Sequence, residues 1–370
     1  MKNISLRDGI KKIGFLAFAE CDGLEWVEVP VSVNEIDYEA FGGNSDDFFV
    51  KYHEESKTLD YVKENGLRVQ ILKHAYKYVI TKAKPSLNGK IVKICSNCGK
   101  KGTTTTIYAP KEIVLKTSSF VYNAKAKKPA VTVKDNKGKV IDAKNYSVTY
   151  SNNINVATAD KKPTVKVTFK GDRYQGTLSK TFTIKKANNK LTVTTSYTKT
   201  ASGKAQSFKL NAKATGGKLT YKSNNSKVKV DSTGKVTIAK NYSGKAVITV
   251  TAGDNNYKSV SKNINILVKP AATTLKNVKN TTPKNASKGR LTVTWNKLSY
   301  VTGYQLQYST TSNFKSGTNK LLTVKGSSNV SRTLTGLVKG KTYYVRIRTY
   351  KTIAGSNRFS AWSSAKSRKI

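Results

Sequence analysis

HAYKYVITKAKPSLNGKIVKICSNCGKKGTTTTI, residues 74–107, divides this chain into two parts of opposite character. Residues 1–72 hold 8 Lys/Arg against 14 Asp/Glu, a net charge of −6, whereas residues 73–370 hold 59 against 7, a net of +52. The stretch therefore reads as a joint between an acidic part and a Lys-rich part. A field of the second kind attracts polyanions and speeds their association, and at a Debye length of about 10 Å in 0.1 M salt it acts close to the surface. Teichoic acids, sulfated or sialylated glycans, anionic lipid and nucleic acid are the polymers it would attract. The plainer alternative is that Lys on solvent faces keeps β-domains soluble and blocks pairing at sheet edges.

The joint carries its own motif. C-x-x-C-G at Cys95 and Cys98 presents two sulfurs to one point, and His74 at a distance offers a third donor, so zinc is one reading of the three residues. A tetrahedral site needs one ligand more. A local disulfide between Cys95 and Cys98, or two free thiols in a hairpin, are the other readings. A Cys/His nucleophile would need an orienting carboxylate and oxyanion donors, and the neighbouring sequence supplies neither. The segment resembles small bacterial linker domains of the form H…G…C-x-x-C-G. In fuller versions of these a further Cys precedes the glycine, where this chain has Pro85 and Ser86.

Upstream, residues 8–29 are echoed by residues 32–50. Ile10 matches Val33, Ile13 matches Ile36, Ala17 matches Ala40 and Phe18 matches Phe41, all 23 residues apart. A period in the 20s belongs to stacked repeats, in which short strands such as 25–29 join one continuous sheet. The pattern I-x-x-I-G-x-x-A-F-x-x-C-x-x-L resembles the leucine-rich repeats of BspA-type bacterial surface proteins, which would place Cys21 at a buried core position. Residues 52–72 resemble the closing segment of such arrays, with a helix over 58–65, Gly66 as the residue after the helix end, and a last strand. Stacks of this kind need three or more repeats, so further repeats are expected before Met1.

Downstream, period-2 runs broken by turn residues every eight to twelve positions predict β-sandwiches. Residues 108–186 (EIVLK, PAVTVKD, YSVTYSNN, PTVKVTFKG, SKTFTI) resemble a bacterial immunoglobulin-like module, with Tyr122, Tyr146, Tyr150 and Tyr174 as packing residues. Residues 187–269 contain S-N-N-S-x-V-x-V-D-x-x-G-x-V and resemble group 2 bacterial immunoglobulin-like domains, with Gly234 in a hairpin turn. Asp254, Asn255 and Asn256 read as turn chemistry. In residues 270–370, LTVTWNK, GYQLQYST and TLTGLVKGKTYYVRIRTYK strongly resemble a fibronectin type III domain. Trp295 and Leu337 would then fill its core, Tyr343 would form a tyrosine corner, and Trp362 would cover one end.

The expected fold class is thus mostly β: a short leucine-rich-repeat solenoid end (1–72), a small Cys-containing linker (73–107), and tandem immunoglobulin-like and fibronectin type III sandwiches (108–186, 187–269, 270–370) as beads on a string. Three cysteines in 370 residues do not make a disulfide framework. There is no run of 18 apolar residues to span a membrane. KNISLRDGI after Met1 lacks a secretory core, so export information is expected upstream. Motifs for nucleotide, hydrolase or metalloprotease chemistry are missing, and enzymatic activity is not expected. Nor does Lys far in excess of Arg, with no RNA- or DNA-binding motif, suit base reading.

The function expected is therefore non-catalytic: an extracellular, cell-surface or cell-wall adhesion protein, monomeric. Its repeat array would present a protein- or glycan-binding face, and its basic stalk would associate with anionic cell-wall polymer. The alternative is an accessory region of a secreted polysaccharide- or wall-degrading enzyme whose catalytic domain lies outside this chain.

Overall fold

The structure is a computed structural model that describes residues 1–54 and 56–370. The chain divides into two compact units, one of residues 1–120 with 126–183 and one of residues 121–125 with 184–370.

The first unit begins with a parallel stack. Strands Asn3–Ser5, Trp26–Val29, Phe49–His53 and Arg68–Leu72 lie side by side in that order. Asn3 pairs with Trp26 and Trp26 with Phe49, so the first three strands are 23 residues apart. A second ladder pairs Lys12–Ile13 with Glu35–Ile36. Strand alternation decides what goes inside. Val27, Val29 and Val50 are buried, and the stacked rings of Phe18 and Phe41, 5.6 Å apart, fill the space behind them. Asn44 secures the turns, accepting from the Cys21 N–H and donating to the Phe18 and Phe41 carbonyls. Cys21 itself is half-buried at the margin of this core. The helix Thr58–Glu64 closes the stack, and Gly66 at φ +62° turns the chain into the last strand.

Next comes an antiparallel sheet of Tyr76–Thr81, Gly89–Cys95 and Lys101–Ile107. Two three-stranded sheets follow. One holds Pro110–Leu115, Val131–Asp135 and Val140–Ile141, the other Tyr146–Ser151, Thr164–Phe169 and Thr177–Thr181. Their shared core is Ile113, Val133, Ile141, Tyr146, Val167 and Phe169. The tyrosines pack: Tyr150 donates to the Pro129 carbonyl and Tyr174 lies against Phe169.

In the second unit, Lys218–Ser223, Gly244–Gly253, Val260–Lys269 and Ser196–Thr200 form a four-stranded sheet, its last pair parallel. It faces a sheet of Gln206–Lys209, Lys235–Ile238 and Val228–Val230 across Leu210, Val236, Ile248, Ile264 and Ile266. Gly234, at φ +82°, makes the turn before Lys235. The last sandwich sets Leu275–Asn280, Gly289–Trp295 and Ser331–Leu337 against a five-stranded sheet built on Gly303–Ser309 and Thr342–Ile353. Trp295 is 1% exposed at its centre, beside Tyr304, Leu291, Leu306 and Ile347.

Within each unit the modules are not independent beads. Backbone bonds from Ala83 N–H to the Arg173 carbonyl and from Gln175 N–H to the Ala83 carbonyl tie the linker sheet to the sandwich that follows. Ser243 donates to the Tyr300 carbonyl, and Tyr300 packs on the cores of both later sandwiches. The reason is sequence length: short connections leave no free linker in which adjacent modules could separate.

Candidate functional site

The C-x-x-C-G turn joins strands Gly89–Cys95 and Lys101–Ile107. Its geometry follows from backbone bonding: Gly99 N–H donates to the Cys95 carbonyl, Cys95 N–H to the Lys100 carbonyl and Ser96 N–H to the Ala75 carbonyl. Gly99 sits at φ +70°, where a side chain would be strained. Such a turn aims both sulfurs at the region in front of His74. The His74 Nδ1 is 3.3 Å from the Cys98 sulfur, and the His74 and Cys98 side chains both hydrogen-bond with Cys95.

A fourth residue, absent from the sequence reading, completes the group. His53 ends strand Phe49–His53 and pairs in register with Leu72, two residues before His74. Its ring lies parallel to that of His74, 5.1 Å away and tilted by 6°. The donor atoms of His53, His74 and Cys98 all lie within 4.8 Å of one another, with Cys95 adjoining the last two. The chain has two histidines and three cysteines; both histidines and Cys98 fall within this group, and Cys95 adjoins His74 and Cys98. The register of the final strands is the signal that could have revealed His53, because the last step in the stack is 19 residues rather than 23.

His74 and Cys98 are half-buried, and the other two residues are buried. His53 is 3% and Cys95 1% exposed. Burial works to raise the Cys95 thiol, but backbone hydrogen bonds from Cys98 and Asn97, with the His74 and Cys98 side chains, outweigh it and bring the group down to about 6. Burial pushes the Cys98 thiol up, as does the neighbouring Cys95. Both are free thiols in this structure.

Elsewhere the predicted structural residues fall as follows. Leu337 is buried with Trp295 in the last core. Tyr343 accepts the Val338 N–H at 3.0 Å, the bond a tyrosine corner makes. Trp362 does not cap an end of the sandwich. It lies over the outer side of the sheet, between the guanidinium groups of Arg346 and Arg348 at 4.7 and 4.3 Å from its ring. The alternation of strand Thr342–Ile353 explains this, since both arginines point outward to Gln307 and Gln305 and offer flat cations to an aromatic ring. Phe314 and Phe359 continue the ladder at either side.

Four of the seven acidic residues in the basic part serve turns. Asp135, Asp142, Asp231 and Asp254 each accept backbone N–H groups two to four residues ahead. Many of the lysines, by contrast, occupy outward strand positions, Lys166, Lys222 and Lys262 among them. Acids held in turns leave the strand faces cationic.

Residues 276–366 match the family model of the fibronectin type III domain. No curated protein matches the chain. Among solved structures it is similar to domains A168–A170 of titin at 15% identity, over 80% of this chain and 98% of that one, with a TM-score of 0.22. Titin domains I67–I69, in an E-to-A mutated variant, are similar at 11% identity over 68% and 97%, with a TM-score of 0.31. Sidekick-1 immunoglobulin domains 1–5 are similar at 10% identity over 75% and 66%, with a TM-score of 0.27. The chain is mostly β, with several β-sandwiches. No helix among the described residues is long and apolar enough to cross a membrane.

Proposed function

We propose that this chain is a non-catalytic, cell-surface or secreted binding protein. Its basic sandwiches hold it to an anionic cell-wall polymer, and its acidic parallel stack, the end of a leucine-rich-repeat array, presents a face to a protein or glycan. The observation that carries the proposal is the placement of charge. Lysines stand at outward strand positions and in turns over three consecutive sandwiches, while four of the seven acids are taken up by backbone N–H groups of turns. A surface of that kind binds a flexible polyanion through many weak contacts and needs no pocket.

The stack offers the other face. Phe15 and Tyr38, one repeat apart, are 60% and 71% exposed on the same side. Exposed aromatic rings at repeat spacing suit contact with a protein or sugar surface.

The test is co-sedimentation of the chain with Gram-positive sacculi, with and without teichoic acid, from about 50 to about 500 mM salt, the range over which the Debye length falls by roughly threefold. The proposal expects binding that needs teichoic acid and is lost at high salt. Failure to sediment at the lowest salt rejects wall retention by charge.

A further inference from the structure

We propose that His53, His74, Cys95 and Cys98 form a closed, structural zinc site that fastens the end of the parallel stack to the linker sheet. Tetrahedral zinc with two nitrogens and two sulfurs has bond lengths of about 2.0–2.1 and 2.3 Å, so its ligand atoms stand about 3.3–3.8 Å apart. Cys98 and His74 are already at 3.3 Å, and the three donors of His53, His74 and Cys98 lie within 4.8 Å. Cys95, which adjoins His74 and Cys98, is the fourth donor, and one imidazole must turn out of its parallel stack to bring both ring nitrogens to one ion.

The outer contacts fit the same purpose. His53 Nδ1 is 3.2 Å from the Leu72 carbonyl, which fixes its ring and leaves Nε2 for a metal. A backbone carbonyl on the second nitrogen is the usual support of a ligating imidazole. In His74 one nitrogen faces the Cys98 sulfur, and the Nε2 is buried with no hydrogen-bond partner among the described residues.

Charge and ligand type select the metal. Two thiolates, two neutral imidazoles and one divalent cation sum to zero, so the filled site can be buried without a residual charge. Binding moves the proton of each thiol to solvent, and no electron is transferred. Sulfur with imidazole in tetrahedral array favours zinc over magnesium, calcium or manganese. Four protein ligands leave no position for a substrate water, which makes the site structural rather than catalytic. It would bridge Phe49–His53 and the turn after Gly89–Cys95 and so stiffen the joint between acidic and basic parts.

The experiment is a cobalt(II) titration of the whole reduced chain, followed by zinc displacement. One cobalt per chain is expected, with the visible bands of tetrahedral cobalt and a thiolate charge-transfer band, both bleached by zinc. His53→Ala should weaken cobalt binding by more than about 100-fold, beyond the roughly 10–100-fold that loss of an outer hydrogen bond causes. Cys21→Ser, a change in the core of the stack, should leave it unaltered. Should His53→Ala lose the circular dichroism of the folded chain, Cys98→Ser takes its place and is expected to reduce the charge-transfer band. The proposal is overturned if the reduced chain gives no such band, if His53→Ala or Cys98→Ser binds cobalt as the parent does, or if Cys95 and Cys98 form a disulfide in air despite stoichiometric zinc.

Discussion

Trp295 and Tyr343 show how single residues hold the last sandwich. Trp295 is enclosed by both sheets, and truncation to alanine would leave a cavity on the scale of an indole. Trp295→Ala is expected to cost about 3–5 kcal/mol, read as a lower urea midpoint. Tyr343→Phe removes only the acceptor for the Val338 N–H. Because Val338 is exposed and water can replace the bond, the loss should be about 0.5–1.5 kcal/mol. Both residues were legible because a lone Trp in an alternating strand and a Tyr after a glycine turn have few other uses. His53 was not. It stands in an acidic run, and only the register of two parallel strands brings it to His74. Asp231 carries a pH effect. Its carboxyl is held below the usual range by the Thr233 hydroxyl and by the Lys235 and Thr233 backbone N–H groups. A carboxyl lowered on folding adds stability above its unfolded value of about 3.9, and that stability is lost as pH falls through the folded value. Asp231→Asn should therefore flatten the acid limb of the melting-temperature profile and leave its slope near neutral pH unchanged.

At the scale of elements, the strand Gly89–Cys95 decides whether the joint forms. A Cβ on Gly89 would lie 2.2 Å from the Thr81 carbonyl oxygen and 2.5 Å from the Ala83 nitrogen, both backbone atoms that cannot turn aside. Gly89→Ala is expected to raise hydrogen exchange over residues 76–107 while residues 276–366 keep their protection. Strands of this kind were readable wherever period-2 alternation coincided with burial of one side, as in Thr164–Phe169, where Val165, Val167 and Phe169 are inward. The 23-residue echo likewise appears as parallel pairing, because equal spacing brings Ile13 level with Ile36. Pairings between distant strands left no such trace. Ser196–Thr200 runs parallel to Val260–Lys269, and nothing in either segment names the other. The outward position of Trp362 was hidden for the same reason, since it depends on which arginines a neighbouring strand turns outward.

For the whole molecule, composition gave the clearest signal, and it was electrostatic. A net +46 spread over strand faces and turns is either a means of binding or a means of staying soluble, and the two differ in what happens when some of it is removed. The most direct measurement replaces Lys166, Lys218, Lys222, Lys229, Lys245 and Lys262, all exposed on strands, with glutamine. Binding of this variant to teichoic-acid-bearing sacculi is then compared with that of the parent at about 50 mM salt, where screening is weak. Wall retention by charge predicts a markedly smaller sedimented fraction and a lower salt concentration for release, with melting and solubility unchanged. Equal sedimentation of variant and parent, accompanied by aggregation of the variant, would contradict it and assign the lysines to solubility.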